Sequence, residues 1–217
     1  MITGLRRAVI FDLGGVVFPS PFEAFDAHDD AIGVPAGTVR ALIRRSSETG
    51  AWARLERGAL TMDEFFAALD DEANEDGFTL DARALMARVG AGGGARPEMV
   101  TAIATLRSRG LRVGALTNNW HDAGPDGGAG GTPHATVATL AFDAVVESAR
   151  EGLRKPDPRI YAIALDRIGA VAAETVFLDD LGINLKPARE MGMATIKVVD
   201  HLAALDELSD LVGFPLR

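Results

Sequence analysis

The sequence predicts an α/β protein in which a doubly wound, Rossmann-like parallel sheet carries an inserted small helical cap domain. From about residue 97 onward, short apolar runs alternate with helical patterns, which is typical of a parallel sheet covered by helices on both faces. Residues 18–96 instead contain helical patterns without a convincing strand. We therefore expect residues 1–17 and 97–217 to form the α/β core and residues 18–96 to form the cap domain.

Five runs have the length and composition of buried strands. Their hydrophobicity is continuous rather than alternating, which indicates strands covered on both faces. Turn residues bound each run, and each run is too short for a helix. The predicted strands are AVIF (8–11), LRVGALT (111–117), FDAVVES (142–148), TVFLD (175–179) and ATIKVV (194–199).

Helix signals separate the later strands. Pro97 and Pro158 suit the first turn of two helices, and a glycine follows the apolar stripe of each. A third helix, LKPAREMG, is expected to begin after Asn184 as its N-cap. Pro187 would then fall in the first turn, where a missing amide hydrogen is tolerated.

The predicted cap domain contains three stretches with helical periodicity, at residues 39–58, 61–77 and 81–90. The glycine-rich AGGGARP (91–97) is expected to be a hinge, and GPDGGAGGTP (124–133) is expected to be a loop within the core. An apolar face of the cap could pair with a second copy of the chain as a homo-oligomer, or could pack internally. The sequence leaves both options open.

Composition narrows the possible partners. The 217 residues carry a net charge of −9, which disfavours nucleic acid and anionic membranes because both reward clustered lysine and arginine. A small anionic substrate stays compatible with a locally positive site. The chain has no cysteine, so it has no disulfide framework and no cysteine–zinc site. Asp12 interrupts the N-terminal apolar run, which argues against a secretory signal and favours a cytoplasmic location.

Polar residues follow three of the predicted strands where each strand ends. The first strand ends at Asp12, the second at residues 117–119 and the fourth at Asp179 and Asp180. Ligands of open parallel sheets bind beyond the carboxyl ends of the strands. We therefore expect these residues, which are far apart in the sequence, to meet at one edge of the sheet.

The chemistry of this cluster indicates a metal and a phosphate. Three carboxylates in one cleft repel each other unless a cation neutralises them, and donor sets made only of oxygen suit Mg²⁺. The hydroxyl, amide and amine of Thr117, Asn118 and Lys155 match the needs of phosphoryl oxygens. A carboxylate beside both groups can attack phosphorus itself, which predicts Asp12 as a nucleophile that forms an aspartyl-phosphate.

Each of these residues also has an ordinary structural interpretation. Asp12 could cap a turn, residues 117–119 could be strand-end turn chemistry, and Lys155 could be a solvated charge. Asp179 and Asp180 are harder to explain in this way, because adjacent carboxylates at a buried strand end cost free energy without compensation. The coincidence at three strand ends favours a site.

Four motifs resemble, in order and spacing, those of the haloacid dehalogenase superfamily. They are FDLGGVV, LTNNW, LRKPDPRIY and FLDDLGINLKPAREMGM, within roughly residues 6–20 and 98–200. They are most similar to the N-terminal phosphatase domain of soluble epoxide hydrolase and to the related domain of some acyl-CoA dehydrogenase family members. The resemblance implies that the helical insertion is a cap that closes over the site.

The resemblance also implies a role for each residue. Asp12 would be the nucleophile and a Mg²⁺ ligand, with the Gly14 backbone carbonyl and the Asp180 carboxylate as further ligands. The other implied roles are phosphate binding by Thr117 and Asn118, charge neutralisation by Lys155, action through water or on Lys155 by Asp179, and support of the metal end of the cleft by Asn184.

One departure from the family pattern concerns Gly14. Phosphatases of this family usually carry a second aspartate there, which protonates the leaving group, and such general acids contribute about 10²–10⁴-fold to the rate. Three functions are compatible with its loss. The first is a Mg²⁺-dependent phosphatase of a small phosphorylated substrate with an acidic leaving group. The others are a 2-haloacid dehalogenase, which needs no proton donor to halide, and a phosphate-binding module without catalysis.

Overall fold

The computed structural model describes residues 6–45, 48–121 and 140–217. The predicted loop at 124–133 lies outside these ranges. The strands are β1 (Ala8–Phe11), β2 (Arg112–Thr117), β3 (Ala144–Glu147), β4 (Thr175–Asp179) and β5 (Ala194–Lys197). The helices are α1 (Pro21–Ile32), α2 (Thr38–Arg45), α3 (Ala51–Glu56), α4 (Met62–Glu75), α5 (Ala82–Gly90), α6 (Pro97–Ser108), α7 (Ser148–Glu151), α8 (Pro158–Ile168), α9 (Gly182–Glu190) and α10 (His201–Val212), with a 3₁₀ turn at Ala172–Glu174.

The five strands form one parallel sheet in the order β3-β2-β1-β4-β5. The central strand β1 pairs Phe11 with Ala115 of β2 and with Leu178 of β4. The carboxyl ends of β1, β2 and β4 therefore lie side by side at one edge. The five predicted strands are confirmed, with β2, β3 and β5 shorter than the apolar runs.

Helices cover both faces of the sheet, which confirms the doubly wound prediction. Alternate residues of a strand point to opposite faces. Val9 and Phe11 belong to a buried cluster with α6 and α10, whereas Ala8 and Ile10 belong to a cluster with α8 and α9. Full burial of a side chain such as Phe11 stabilises the fold by about 1.5–3 kcal/mol, so the continuous apolar run is explained.

Helices α1–α5 lie between β1 and α6 in the chain and are here called the helical region. They bury a separate hydrophobic cluster. Trp52 lies near its centre, with edge-on ring contacts to Phe25 at 5.1 Å, to Phe65 at 5.7 Å and to Trp120 at 5.8 Å. Trp120 follows β2, so this aromatic cluster joins the helical region to the edge where the strands end. Among the described residues, the exposed large hydrophobic side chains lie outside the helical region.

Helix α1 was missed by the sequence analysis, although its end signals are present. The Ser20 hydroxyl accepts a hydrogen bond from the Phe22 amide, Pro21 begins the helix, and Gly33 ends it at φ 74°. The predicted helix over 39–58 is two helices, α2 and α3, and residues 46–47 between them lie outside the described part. No helix in the described ranges is long and apolar enough to cross a bilayer.

The expectation that Asn184 caps a helix was wrong. Helix α9 begins at Gly182, three residues earlier than expected, with Leu181 at the N-cap position, and Pro187 lies inside the helix rather than in its first turn. The Asn184 amide instead donates hydrogen bonds to both oxygens of the buried Asp179, at 3.0 and 3.1 Å. Because a buried carboxylate needs donors more than an exposed helix end does, this tertiary contact determines the position of Asn184.

Candidate active site

Asp12 lies directly after β1, where the strand fixes its backbone. Its amide donates to the Leu178 carbonyl of the neighbouring β4 at 2.8 Å. Its side chain is 10% exposed, and Oδ1 accepts a hydrogen bond from the Leu13 amide at 2.7 Å. Among the described residues, the hydrogen bond and the ion pair of this carboxylate both reach Oδ1. Oδ2 is thus left for another partner.

Lys155 joins two of the predicted carboxylates. Its amine lies 2.9 Å from Oδ1 of Asp12 and 2.7 Å from Oδ2 of Asp179. The lysine side chain is 1% exposed. A charge so deeply buried is stable only when it is paired, so the solvated-charge interpretation of Lys155 is wrong.

Asp179 ends β4, and Asp180 follows it before α9. Asp179 is fully buried and accepts a further hydrogen bond from the Leu181 amide at 2.8 Å. Asp180 accepts a long hydrogen bond from the Ser20 hydroxyl at 3.5 Å. Both carboxylates lie beside the N-terminus of α9. This is the positive end of the helix dipole, which favours negative charge.

The three carboxylates form one cluster, as predicted. Asp12, Asp179 and Asp180 each offer an oxygen, and these oxygens lie within 4.8 Å of one another. Burial raises the pKa of Asp12 well above its ordinary value, with the charges of Asp179 and Asp180 adding to the effect and Lys155 opposing it. Burial, followed by the charge of Asp179, raises the pKa of Asp180 to about 6.

This cluster fits a divalent cation. Three carboxylates face one ammonium group, which leaves two negative charges without a buried counter-charge when all three are ionised. The donor set consists of carboxylate oxygens, which hard cations such as Mg²⁺ prefer. Asp12 and Asp180 would hold the ion, with Asp179 already engaged by Lys155 and Asn184.

The two glycines after Asp12 differ in what surrounds them. Gly15 has φ +78°, and a Cβ there would lie 2.2 Å from Oδ2 of Asp180, so the site excludes a side chain at this position. A Cβ on Gly14 would meet only the Pro21 side chain, at 3.6 Å, which is ordinary contact. Position 14 therefore tolerates a side chain, and its glycine is not required by packing.

Thr117 and Asn118 end β2 at the same edge of the sheet. Thr117 is buried, and its hydroxyl makes a long contact of 3.4 Å with the Asn118 carbonyl. The Asn118 side chain is engaged elsewhere than expected. It accepts a hydrogen bond from the Lys155 amide at 2.8 Å and donates to the Lys155 carbonyl at 3.1 Å. Asn118 thus fixes the backbone that carries the buried lysine.

A cavity of about 360 Å³ separates this edge from the helical region. Gly14, Ser20 and residues 117–120 line it on the side of the strand ends. Helix α1 and the end of α5 also line it, with Glu23 and Arg88 contributing charged groups. A small molecule in this cavity would contact both parts of the chain.

Four residues at or beside the site were missed by the sequence analysis. Ser20 contacts Asp180, and the buried Tyr161 hydroxyl donates to the Asn184 carbonyl at 2.7 Å. Glu56 and Arg154 form an ion pair of 2.6 Å between α3 and the segment before Lys155. Ser20 could have been found as a helix cap before Pro21. Arg154 and Tyr161 lie within the motif LRKPDPRIY, which assigned neither of them a role, and no local signal in the sequence identifies Glu56.

A family model described as haloacid dehalogenase-like hydrolase matches residues 6–192. The chain is 37% identical to mouse acyl-CoA dehydrogenase family member 10 and 33% identical to pig bifunctional epoxide hydrolase 2, each over 97% of its length. It spans only 20% and 39% of those two proteins. It is 32% identical to the sesquiterpene phosphatase astK of Aspergillus oryzae, over 95% of this chain and 97% of that protein. The sequence resemblance to these families is thereby confirmed.

Two solved structures share the fold. One is a HAD-like family hydrolase from Porphyromonas gingivalis, with a TM-score of 0.65 and 23% identity over 94% of this chain and 98% of that one. The other is the L-2-haloacid dehalogenase of Xanthobacter autotrophicus, with a TM-score of 0.60 and 23% identity over 98% of this chain and 85% of that one. At this identity, the likeness concerns the fold.

Proposed function

Because this chain belongs to the haloacid dehalogenase-like hydrolase family, we propose that it is a Mg²⁺-dependent phosphatase that hydrolyses phosphoric monoesters. The observation that carries the proposal is the cluster of the buried Asp12 and Asp179 and the half-buried Asp180, in which the single amine of Lys155 pairs with the first two. Its excess negative charge calls for a cation, and its strand-end position is where α/β sheets bind ligands. A full-length relative named as a sesquiterpene phosphatase supports the same reaction class.

The proposed reaction has two steps at Asp12. Oδ2 forms a bond to phosphorus as the ester P–O bond breaks, and the leaving alcohol takes a proton from water. Water then attacks phosphorus and gives a proton to the hydroxide left by the first step, the bond to Asp12 breaks, and inorganic phosphate leaves. Mg²⁺, held by Asp12, the Gly14 carbonyl and Asp180, would neutralise charge that develops on the phosphoryl oxygens.

The other site residues bind and orient in this proposal. The Lys155 amine offsets the charge of Asp12 and of the phosphoryl group, and the Thr117 hydroxyl donates to a phosphoryl oxygen. Asp179 and Asn184 keep the lysine in position, since Asp179 contacts both. Phosphate binding by Asn118 would fall to its backbone, because its side chain holds Lys155.

Gly14 determines which esters react well. No side chain at this position can protonate a leaving group, so alcohols of low pKa would leave far more readily than alkyl alcohols. We propose that residues 18–96, which contain the helical region, form a cap domain that closes the cavity above the phosphate. We further propose a small phosphorylated substrate and, from the cysteine-free composition, a cytoplasmic location.

The dehalogenase reading is weaker for a physical reason. Displacement of halide by a carboxylate needs no divalent cation, whereas the acidic cluster holds two charges more than its lysine balances. The binding-module reading rests on the loss of the acid at Gly14. That loss slows the hydrolysis of esters with poor leaving groups, but it leaves the nucleophile Asp12 in place.

The test is hydrolysis of p-nitrophenyl phosphate by the whole chain with Mg²⁺, with EDTA, and in the variant Asp12→Asn. We expect Mg²⁺-dependent release of nitrophenol that falls by more than about 10³-fold in Asp12→Asn, as for removal of other enzymatic nucleophiles. A metal-independent rate unchanged in Asp12→Asn would rule out the assigned nucleophile. Chloride release from chloroacetate without metal would favour the dehalogenase, and phosphate binding without turnover would favour the binding module.

A further inference from the structure

Glu56, the last residue of α3, is a buried carboxylate with no role in the reaction described above. Its side chain is 9% exposed, although glutamate is rarely buried without partners. Oε1 accepts a hydrogen bond from the indole nitrogen of Trp52 at 2.9 Å, within the same helix. This contact orients the carboxylate within the helical region.

The other oxygen of Glu56 reaches across to the strand ends. Oε2 accepts from Nε of Arg154 at 2.6 Å, in an ion pair whose side chains are 18% and 9% exposed. Oε2 also lies 3.4 Å from Nδ2 of Asn118. Glu56 thus contacts the residue directly before Lys155 and the residue that holds the Lys155 backbone.

Helix α3, helix α7 and the segment after β2 pack closely at this point, so the contact between Glu56 and Arg154 has little freedom to move. A Cβ on Gly58, just beyond α3, would lie 2.4 Å from the Ala149 carbonyl of α7. The rings of Trp52 and Trp120 pack edge-on at 5.8 Å beside it. The packing of α3 therefore holds Glu56 against Arg154, and the Glu56 carboxylate is largely shielded from water.

We propose that Glu56 is a positioning residue through which the helical region holds Lys155 in register with Asp12 and Asp179. The chain of contacts runs from Glu56 to Arg154 and Asn118, and from Asn118 to both backbone groups of Lys155. Loss of the Glu56 charge removes one partner from the half-buried Arg154 and one from the Asn118 side-chain amide, which loosens the hold of both on the Lys155 segment. The lysine backbone then shifts, and the amine loses its fixed place between the carboxylates. The inference rests on the proposed function only for its effect on turnover.

The first experiment measures the lysine directly and needs no activity. The chain has three lysines, and Lys186 and Lys197 are exposed, so they serve as internal standards for Lys155. Amine acetylation of the whole chain, followed by mass spectrometry, gives the labelling rate of each. We expect Glu56→Gln to raise the rate at Lys155 by at least about fivefold relative to Lys186 and Lys197, because local opening exposes the amine.

A matched control separates this effect from general loosening of the helical region. Asp29 is likewise buried and accepts two hydrogen bonds, from the amides of Gly37 and Val39 in the same region. Asp29→Asn is expected to lower the melting temperature without changing the labelling ratio at Lys155. An equal rise in Asp29→Asn, or no rise in Glu56→Gln, would overturn the proposal.

The second experiment tests the route through Arg154. Glu56→Gln and Arg154→Gln are each expected to lower kcat for p-nitrophenyl phosphate by about 10–100-fold, the size expected when a reacting group shifts by about 1 Å. The double variant should lose no more than either single variant, because both remove the same contact. Multiplicative losses would contradict this route.

Arg154→Gln also serves when Glu56→Gln does not fold, since it breaks the ion pair from the opposite side. If the unaltered chain has no phosphatase activity, the proposed function fails while the labelling of Lys155 still decides the positioning role of Glu56. Raised labelling with unchanged kcat would support the positioning of Lys155 by Glu56 and would contradict the expected effect of that position on turnover.

Discussion

A Cβ on Gly15 would lie 2.2 Å from Oδ2 of Asp180, although 165 residues of sequence separate the two positions. Phe11 and Leu178 are paired across β1 and β4, so the turn after β1 and the end of β4 are forced together. The glycine is what allows the Asp180 carboxylate to enter the acidic cluster. Gly15 therefore acts through the space that it leaves.

Replacement of Gly15 by alanine should be far more damaging than the same change at Gly14. Gly15→Ala combines a left-handed φ of +78° with a clash at Asp180, and is expected to cost about 2–4 kcal/mol in the free energy of unfolding. Gly14→Ala should stay within about 1 kcal/mol of the parent, because its Cβ has room. Urea denaturation of both variants measures the difference, and equal losses would contradict the close approach to Asp180.

Gly14→Asp should restore the missing general acid. The nearest atom to the new Cβ is Cδ of Pro21 at 3.6 Å, and Gly14 lines the cavity, so a carboxylate can be accommodated beside a bound ester. We expect kcat/KM for alkyl phosphates to rise by about 10²–10⁴-fold. The rise for p-nitrophenyl phosphate should be much smaller, because nitrophenolate is a good leaving group that needs no proton. Equal effects on both classes would mean that another group already donates the proton.

The sheet and most of the site could be predicted because their causes are local and repeated. A strand covered on both faces leaves a continuous apolar run, and Asp12, Thr117 and Asp179 follow such runs directly. The parallel order then brings the strand ends together without further information. What decided the prediction was therefore the position of each polar residue relative to a strand.

The parts that could not be predicted depend on contacts between distant segments. Asn184 has the side chain of a helix cap, yet the need of Asp179 for donors prevails. Asn118 was expected at the phosphate, but its amide is matched by the backbone of Lys155. Glu56 lies in a helix whose pattern reports only packing, so its contact with Arg154 becomes visible only in three dimensions.

Lys155→Met should destabilise the metal-free protein strongly. The change leaves Asp12 and Asp179 buried without their ammonium partner, and breaking a buried ion pair in this way costs about 3–5 kcal/mol. Mg²⁺ should raise the melting temperature of this variant more than that of the parent, because the ion supplies part of the missing positive charge. Differential scanning calorimetry with EDTA and with Mg²⁺ makes the comparison.

Lys186→Met is the control for that experiment. Lys186 is exposed, and its ion pair with Glu190 is a loose one of 4.0 Å. Its loss should therefore change the free energy of unfolding by less than about 0.5 kcal/mol in either buffer. A similarly small effect at Lys155 would mean that the two carboxylates are not ionised in the metal-free protein.

His28 should make the stability of the fold depend on pH. The residue is 2% exposed, and neither ring nitrogen has a hydrogen-bond partner among the described residues. Burial lowers the pKa of His28 below 6.5, with Arg88 adding to the effect and Asp81 and Asp29 opposing it. The unfolded chain therefore binds a proton near pH 6.5 that the folded chain does not bind.

The sign follows from that difference in bound protons. Stability is fully present above about pH 6.5 and is lost as the pH falls, at up to about 1.4 kcal/mol per pH unit until the folded histidine is also protonated. His28→Leu removes this proton uptake, so the free energy of unfolding of the parent minus that of the variant should fall between pH 7.5 and pH 5. Urea denaturation at several pH values measures this difference, in which the contributions of the acidic cluster cancel. A difference that stays constant over this range would mean that His28 keeps its ordinary pKa in the folded chain. The ring would then be hydrated there, and Arg88 would lie too far away to oppose its protonation.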